Sequence, residues 1–374
     1  MADILFVTWD GGGAVPPALG IAGALRTRGH TVRFLGHAVQ AEGLRARGYD
    51  VEPNRHARPF SGSRNNSPLA LMAALGDRGM GRDLLEAVAA RPADLVVVDS
   101  FMFGALAAAR DAGLSYVVLE HTFDDYYERA CLRGPLSISL WLRRLAPRRA
   151  LESARARLVT SVPELDPAGA APYLTHVGPV VDVGSPVAGE PTVLVSLSTF
   201  GYPGMQEVLQ NVIDATDGLG ARVVVTTGPL IEPDSLSHPA HVEVHRFVPH
   251  VELMPTATML VGHGGHGTTM QALAHDLPVL VLPMSRITDQ PTIGRAVAAA
   301  GAGRVASRSS SPGQLSPHIE ALLGDGPHRA AAARLGAAVR DRPGAVLGAD
   351  AVEGHLPGPH GADDPSDTPR HGQR

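Results

Sequence analysis

The chain of 374 residues holds a single cysteine, Cys131, which excludes an internal disulfide and any cysteine-built metal cluster. That thiol is either reactive or, the plainer reading, a small residue packed near a helix end. Lysine is absent: all 32 basic residues are arginine, which fits the codon usage of a GC-rich genome and carries no mechanism by itself. Aromatics make up only 4% against 44% hydrophobic residues, so the cores must be mostly alanine, valine and leucine. No basic patch with interleaved aromatics occurs, and acids and bases are interspersed around a net charge of −5, which argues against nucleic acid as a partner. No apolar run approaches a membrane span. The N-terminus, Ala2-Asp3-Ile4-Leu5-Phe6-Val7, lacks the basic region and cleavage site of a signal peptide and reads as a first strand. The expectation is a soluble cytoplasmic protein with no membrane partner.

What is present is an alternation of short apolar runs with amphipathic stretches. Residues 4–8, 31–35, 95–98 and 116–119 read as strands, and 17–28, 40–47, 67–90 and 101–112 as helices. Such alternation predicts a parallel sheet covered on both faces. From 147 to 190 the pattern loosens around Pro163, Pro167, Pro172, Pro179 and Pro186. It then restarts, with strands at 192–197, 222–226, 242–246, 259–261 and 279–282 and helices at 205–217 and 292–300. A helix at 331–339 follows, continued weakly over 346–352. The reading is an α/β chain with a first domain over 1–180, a linker over 181–191, a second domain over 192–353 and a disordered tail over 354–374.

Residues 261–295, VGHGGHGTTMQALAHDLPVLVLPMSRITDQPTIGR, say most about function. An apolar run ends in His263, then come Gly264, Gly265, His266, Gly267, Thr268 and Thr269, and a helical stretch follows. Glycines allow close backbone approach, and a helix N-terminus offers N–H donors and a positive dipole end to a phosphate. A second apolar run leads to a polar loop ending in Asp289-Gln290, which suits hydroxyl binding. A Gly-rich turn alone is as often a plain structural turn. The whole assembly resembles the nucleotide-sugar signature of family 1 glycosyltransferases, in which HGGxGT opens the donor site and DQ closes it. The likeness is to bacterial natural-product enzymes of the macrolide and polyketide kind. It implies a GT-B fold: two Rossmann-like domains with parallel sheets facing across a cleft, and last helices that brace the first domain.

The resemblance implies that His263, the backbone at Gly265 and Gly267, and Thr268 meet the donor pyrophosphate; a buried structural histidine is the alternative for His263. Ser198 and Thr199 match a strand end facing the pyrophosphate from the other side, although Ser/Thr clusters are ordinary turn residues. Val248 stands in the segment beside the base, where His250 replaces a glutamine. Gln271 sits where many members carry the glutamate that binds the ribose diol, and an amide loses the charged bidentate acceptor. Asp289 and Gln290 match the pair that holds sugar hydroxyls, behind a loop two residues longer than usual; the alternative for Asp289 is an N-cap.

On the acceptor side the family carries a base in a pattern like G-H-V-x-P after the first strand. This chain reads Gly13-Ala14-Val15-Pro16-Pro17, so the base position holds Ala14, whose methyl cannot accept a proton. Asp99 matches the dyad partner, with an N-cap as its alternative. Other groups on loops after strands are candidate bases: Asp10, Asp99, His121, Asp124 and Asp125. Alternatively the acceptor needs little deprotonation, as in C-glycoside formation, or Ala14 is an engineered knockout. Residues 55–68 and 126–141 are expected to line the acceptor pocket, with Trp141, Tyr126 and Tyr127 stacking on a planar aglycone or packing in the core.

The expected function is an inverting, metal-independent glycosyltransferase moving a sugar or deoxysugar from a dTDP- or UDP-sugar to a hydrophobic natural product. No cofactor and no metal are expected. Partners are the donor and the acceptor, with a homodimer left open. The alternative from another class is a catalytically silent homologue that binds nucleotide sugar or aglycone and assists a partner enzyme. An NDP-sugar epimerase fits less well.

Overall fold

Valine-rich runs buried on both faces become parallel strands, because only helices on each side can cover them. The computed structural model describes residues 1–62, 68–184, 187 and 189–357. The expected tail beyond 357, and residues 63–67 of the 55–68 segment, lie outside the described residues.

In the first half the elements run β1 (Asp3–Val7), α1 (Val15–Thr27), β2 (Thr31–Gly36), α2 (Ala38–Arg45), β3 (Asp50–Pro53), α3 (Pro68–Leu75), α4 (Gly79–Ala90), β4 (Leu95–Asp99), α5 (Phe103–Asp111), β5 (Tyr116–Glu120), α6 (Asp124–Tyr127), a π-helical segment (Glu128–Arg133), α7 (Pro135–Leu142), α8 (Pro147–Ser153), β6 (Arg157–Val159) and β7 (Thr175–His176). The seven strands form one sheet in the order β3-β2-β1-β4-β5-β6-β7, every pair parallel.

The second half runs β8 (Thr192–Ser196), α9 (Met205–Ala215), β9 (Arg222–Thr226), β10 (Val242–His245), α10 (His250–Leu253), β11 (Met259–Gly262), α11 (His266–Ala274), β12 (Val279–Val281), α12 (Gln290–Ala299), β13 (Gly303–Val305), α13 (Pro312–Leu323), α14 (Pro327–Arg340) and α15 (Gly344–Glu353). Its six strands are ordered β10-β9-β8-β11-β12-β13, again all parallel. In both sheets the first three strands grow one way and the fourth returns to the other side of the first, so in each a crevice opens there beyond the carboxyl ends of the strands.

The structure departs from the sequence reading in several places. The expected helix over 67–90 is two helices, broken at Gly76-Asp77-Arg78. The loosened stretch after 147 holds α8, β6 and β7, because Arg157–Val159 is one more buried strand at the edge of the first sheet. Of the last helices, only α15 returns to the first half. It packs on α1, where Arg28 pairs with Asp350 at 2.7 Å and Glu353 at 2.6 Å, and His30 meets Glu353 at 2.8 Å. α14 stays with α11 in the second half. No helix among the described residues is long and apolar enough to cross a membrane.

Candidate active site

The glycine-rich turn sits at the carboxyl end of β11. Gly265 is the N-cap of α11, and the first intrahelical bond runs from Thr269 N–H to the Gly265 carbonyl at 3.0 Å. The N–H groups of the turn before it, through Gly267 and Thr268, are those an α-helix leaves without intrahelical partners. Gly267 is exposed and Thr268 half-buried. The glycines have separate geometric causes. Gly264 adopts φ +84, and a Cβ there would stand 2.7 Å from Val281. Gly265 has ordinary φ, but a Cβ would stand 2.6 Å from His263 Nε2, so the imidazole lies against this residue because it has no side chain. His263 Nδ1 is buried and unpartnered. Burial pushes its pKa down to about 4, and that of His266 down to about 3. Both rings are neutral near pH 7, and a neutral imidazole still donates one N–H.

Asp289 enters from the loop before α12. It does not cap that helix with its side chain. Instead its carboxylate accepts from the Thr122 hydroxyl of the other half at 2.8 Å. The longer loop before it also touches the first half, where the Tyr126 hydroxyl donates to the Ile287 carbonyl at 2.9 Å. Gln290 is a correction. Its side chain is buried, Oε1 accepts from Met284 and Ser285 N–H at 2.8 and 3.0 Å, and Nε2 donates to the Tyr202 hydroxyl at 3.0 Å. It closes the loop through these bonds, with one Nε2 hydrogen donated to Tyr202.

The other donor-side residues lie after β8, after β10 and on α11. Ser198 accepts from Phe200 N–H at 2.9 Å and shapes the loop after β8, while Thr199 is exposed. Val248 is half-buried beside Phe247, whose ring is 77% exposed. His250 meets Ser196 Oγ at 2.9 Å. Gln271 donates through Nε2 to the linker carbonyl of Asp182 at 2.9 Å.

On the acceptor side Ala14 is also a correction. It has no exposed surface and lies in an apolar cluster with Trp9, Phe60 and Phe101, so position 14 does not open on the cleft. Asp99 is buried at the end of β4, and its Oδ1 accepts from the Trp9 indole N–H at 3.1 Å and Phe101 N–H at 2.9 Å. Its Oδ2 stands 2.8 Å from His121 Nδ1, an ion-pair contact without hydrogen-bond alignment. β4 and β5 are neighbours in register, which brings the two strand-end residues together. Burial weighs most against the His121 imidazolium, yet Asp99, Asp289 and Glu120 outweigh it and the pKa is raised. Phe123, two residues on, is fully buried and meets the His266 ring edge-on at 5.4 Å between centroids.

The remaining candidates are engaged elsewhere. Asp10 accepts from Gly62 N–H at 3.2 Å. Asp124 pairs with Arg157, which also binds Glu120 at 2.7 Å. Asp125 pairs with Arg129 at 2.9 Å. Tyr127 is fully buried and donates to the Ser100 carbonyl at 2.8 Å, so it packs in the core. Trp141 is 72% exposed beside a hollow of about 450 Å³ that Leu132, Ile138 and Arg148 also line. Cys131 is buried, its thiol pKa raised by burial, as suits a packed residue. A larger hollow, about 700 Å³ between the start of α9 and the loop after β9, contains none of the expected donor residues. Among the described residues His56, Asp83 and Glu86 cluster, but Asp83 already accepts three backbone N–H groups. The sequence reading missed Trp9 and Thr122; both stand beyond strand ends, next to residues it did find.

Comparison with known proteins assigns the architecture. The family model described as Erythromycin biosynthesis protein CIII-like, C-terminal domain, matches residues 210–347, and a Glycosyl transferase 4-like domain matches residues 12–172. The 4'-demethylrebeccamycin synthase of Lentzea aerocolonigenes is 26% identical over 94% of this chain and 99% of its own length. The L-demethylnoviosyl transferase of Streptomyces niveus is 34% identical over 36% of this chain and 35% of its own. The crystal structure of the kitacinnamycin glycosyltransferase superposes with a TM-score of 0.79 at 23% identity, covering 95% of this chain and 99% of that one. The calicheamicin glycosyltransferase CalG4 follows at 0.77 and 21%, covering 95% and 98%. The chain is a glycosyltransferase with the GT-B fold, similar over its length to glycosyltransferases of natural-product biosynthesis.

Proposed function

We propose that the protein transfers a hexose or deoxyhexose from a dTDP- or UDP-sugar to a hydrophobic acceptor with inversion and without a divalent ion. One observation carries this reading. The turn from His263 to Thr268 gathers a helix N-terminus and a half-buried imidazole with an unpartnered Nδ1 at the carboxyl end of β11, with Asp289 on the next loop. A leaving diphosphate seated there gains N–H donors and the positive end of α11 as its charge develops. Asp289, already accepting one hydroxyl, accepts those of the sugar. Phe247 offers an exposed ring for the base beside the Val248 backbone, and Gln271, whose Nε2 is bonded to Asp182, is assigned to the ribose through Oε1. A solved relative at TM-score 0.71, VinC, is described in complex with dTDP, which fits a dTDP-linked donor.

Titration calorimetry with dTDP and UDP tests the donor site. Binding that weakens about tenfold or more in His263→Ala is the expected result. No binding of either nucleotide, or binding indifferent to His263, overturns the reading. Nucleotide binding without transfer to any acceptor favours the second reading, a helper that holds nucleotide sugar for a partner enzyme; the closed position 14 favours that role as well.

A further inference from the structure

We propose that His121, oriented by Asp99, is the general base that takes the acceptor proton, and that Trp9 occupies the side of Asp99 left without an imidazole. The inference rests on the proposed transfer and names the group that replaces the one missing at position 14.

Three observations meet here. The first is that position 14 is closed, since Ala14 has no exposed surface. The second is how Asp99 is held. Its Oδ1 takes the Trp9 indole N–H at 3.1 Å and Phe101 N–H at 2.9 Å, so that oxygen is satisfied by rigid donors. Its Oδ2 is left to His121 Nδ1 at 2.8 Å. A carboxylate this close to one ring nitrogen favours the proton on that nitrogen by its charge and leaves the other nitrogen basic. The third is direction. His121 Nδ1 is fully buried, and the side chain keeps 11% of its surface exposed, so the open edge of the ring is the one away from Nδ1, which carries Nε2. The Phe101 ring lies 5.2 Å from the imidazole and limits its swing. The residues that follow, Thr122 and Phe123, reach Asp289 and His266, which places His121 beside both halves of the donor site. Asp10, Asp124 and Asp125 are committed to Gly62, Arg157 and Arg129.

In the step, the acceptor O–H bond breaks and its proton passes to His121 Nε2. The acceptor oxygen bonds to the anomeric carbon from the face opposite the phosphate. The bond from that carbon to the phosphate oxygen breaks, and its electron pair leaves on the diphosphate. The imidazolium then stands against Asp99 until solvent removes the proton.

The test compares wild type, His121→Gln and His121→Gly with dTDP-glucose and UDP-glucose as donors. The acceptors are 4-nitrobenzyl alcohol, a weak acid, and 2-chloro-4-nitrophenol, a strong one of similar size. General-base catalysis matters most for the weak acid, so kcat with the alcohol should fall about 10²–10⁴-fold in His121→Gln and clearly less with the phenol. Nucleotide affinity should stay within about threefold, which reports a folded donor site. Added imidazole should restore part of the His121→Gly rate with the alcohol. Equal losses with both acceptors, or a His121→Gln rate near wild type, overturn the assignment of the base and leave the donor site standing. A wild-type chain that binds nucleotide yet transfers to neither acceptor also overturns it. Failure to bind nucleotide at all fells the transfer reading itself.

Discussion

The Thr122 hydroxyl donates to the Asp289 carboxylate across the two halves of the molecule at 2.8 Å. This is the bond a sugar hydroxyl would make, held by the protein itself. A donor sugar that uses the same carboxylate oxygen competes with Thr122, at the cost of about 1 kcal/mol for one hydrogen bond. Thr122→Val removes the competitor. The expected result is a gain of roughly fivefold in the affinity of dTDP-glucose relative to dTDP alone. An unchanged ratio would mean that the sugar does not compete for the oxygen that Thr122 holds.

Gly264 and Gly265 should answer alanine differently. Gly264→Ala puts a side chain at φ +84 against Val281, so it should cost ~1–3 kcal/mol of stability. Gly265→Ala meets the His263 ring at normal φ, so it should weaken dTDP binding more than it lowers Tm. Thermal melts and nucleotide titrations of both variants separate the two effects.

Restoring a histidine at position 14 should not restore catalysis. Ala14 has no exposed surface and belongs to the same apolar cluster as Trp9, Phe60 and Phe101, and a larger side chain there overpacks it by ~1–3 kcal/mol. Ala14→His in the His121→Gln background is therefore expected to melt lower and to stay inactive. Recovery of transfer would show that position 14 opens on the acceptor.

Activity should fall on the acid side as His121 is protonated, because a base must be neutral to act. The groups that set this limb are Asp99 on β4, Glu120 on β5, Asp289 before α12 and His266 on α11. Burial works against the imidazolium, but the carboxylates prevail, so the limb should lie above the ordinary histidine value of about 6.5. Asp99→Asn removes a charge that raises it. The limb should move to lower pH while kcat drops, as read from pH profiles of kcat/KM.

Folding stability should depend on pH through the turn itself. His263 and His266 titrate near 4 and 3 when folded and near 6.5 when unfolded. The unfolded chain therefore binds more protons between those values, and stability is lost as pH falls below about 6.5. Each unit of pH below that costs ~1.4 kcal/mol per histidine at most. Urea melts at pH 7 and pH 5 should show the loss, and His266→Gln should flatten it.

The alternation of strands and helices was legible because strands buried on both faces are written as unbroken runs such as Leu95–Asp99, with few other readings. The donor turn was legible because glycine, histidine and threonine at fixed spacing serve backbone geometry that few other residues satisfy. The short strands β6 and β7 were not, since two or three residues carry no period, and neither was the π-helical segment, whose repeat differs from the 3.6 of an α-helix. Direction was the other blind spot. Tyr127 and Ala14 were found by position, but which way a side chain faces depends on packing from distant segments. The pairing of Asp99 with His121, and the bond from Trp9 to a carboxylate ninety residues on, follow from strands β1, β4 and β5 ending side by side, a fact of sheet order rather than of local sequence.

The return of α15 to α1 means that the backbone passes between the two halves twice, once out and once back. Two crossings tie the halves at two points of the backbone instead of one, across the seam where the loops carrying Thr122 and Asp289 meet. A fusion at the C-terminus that unseated the last helix would remove one of the two pins and loosen the aim of both loops without touching either.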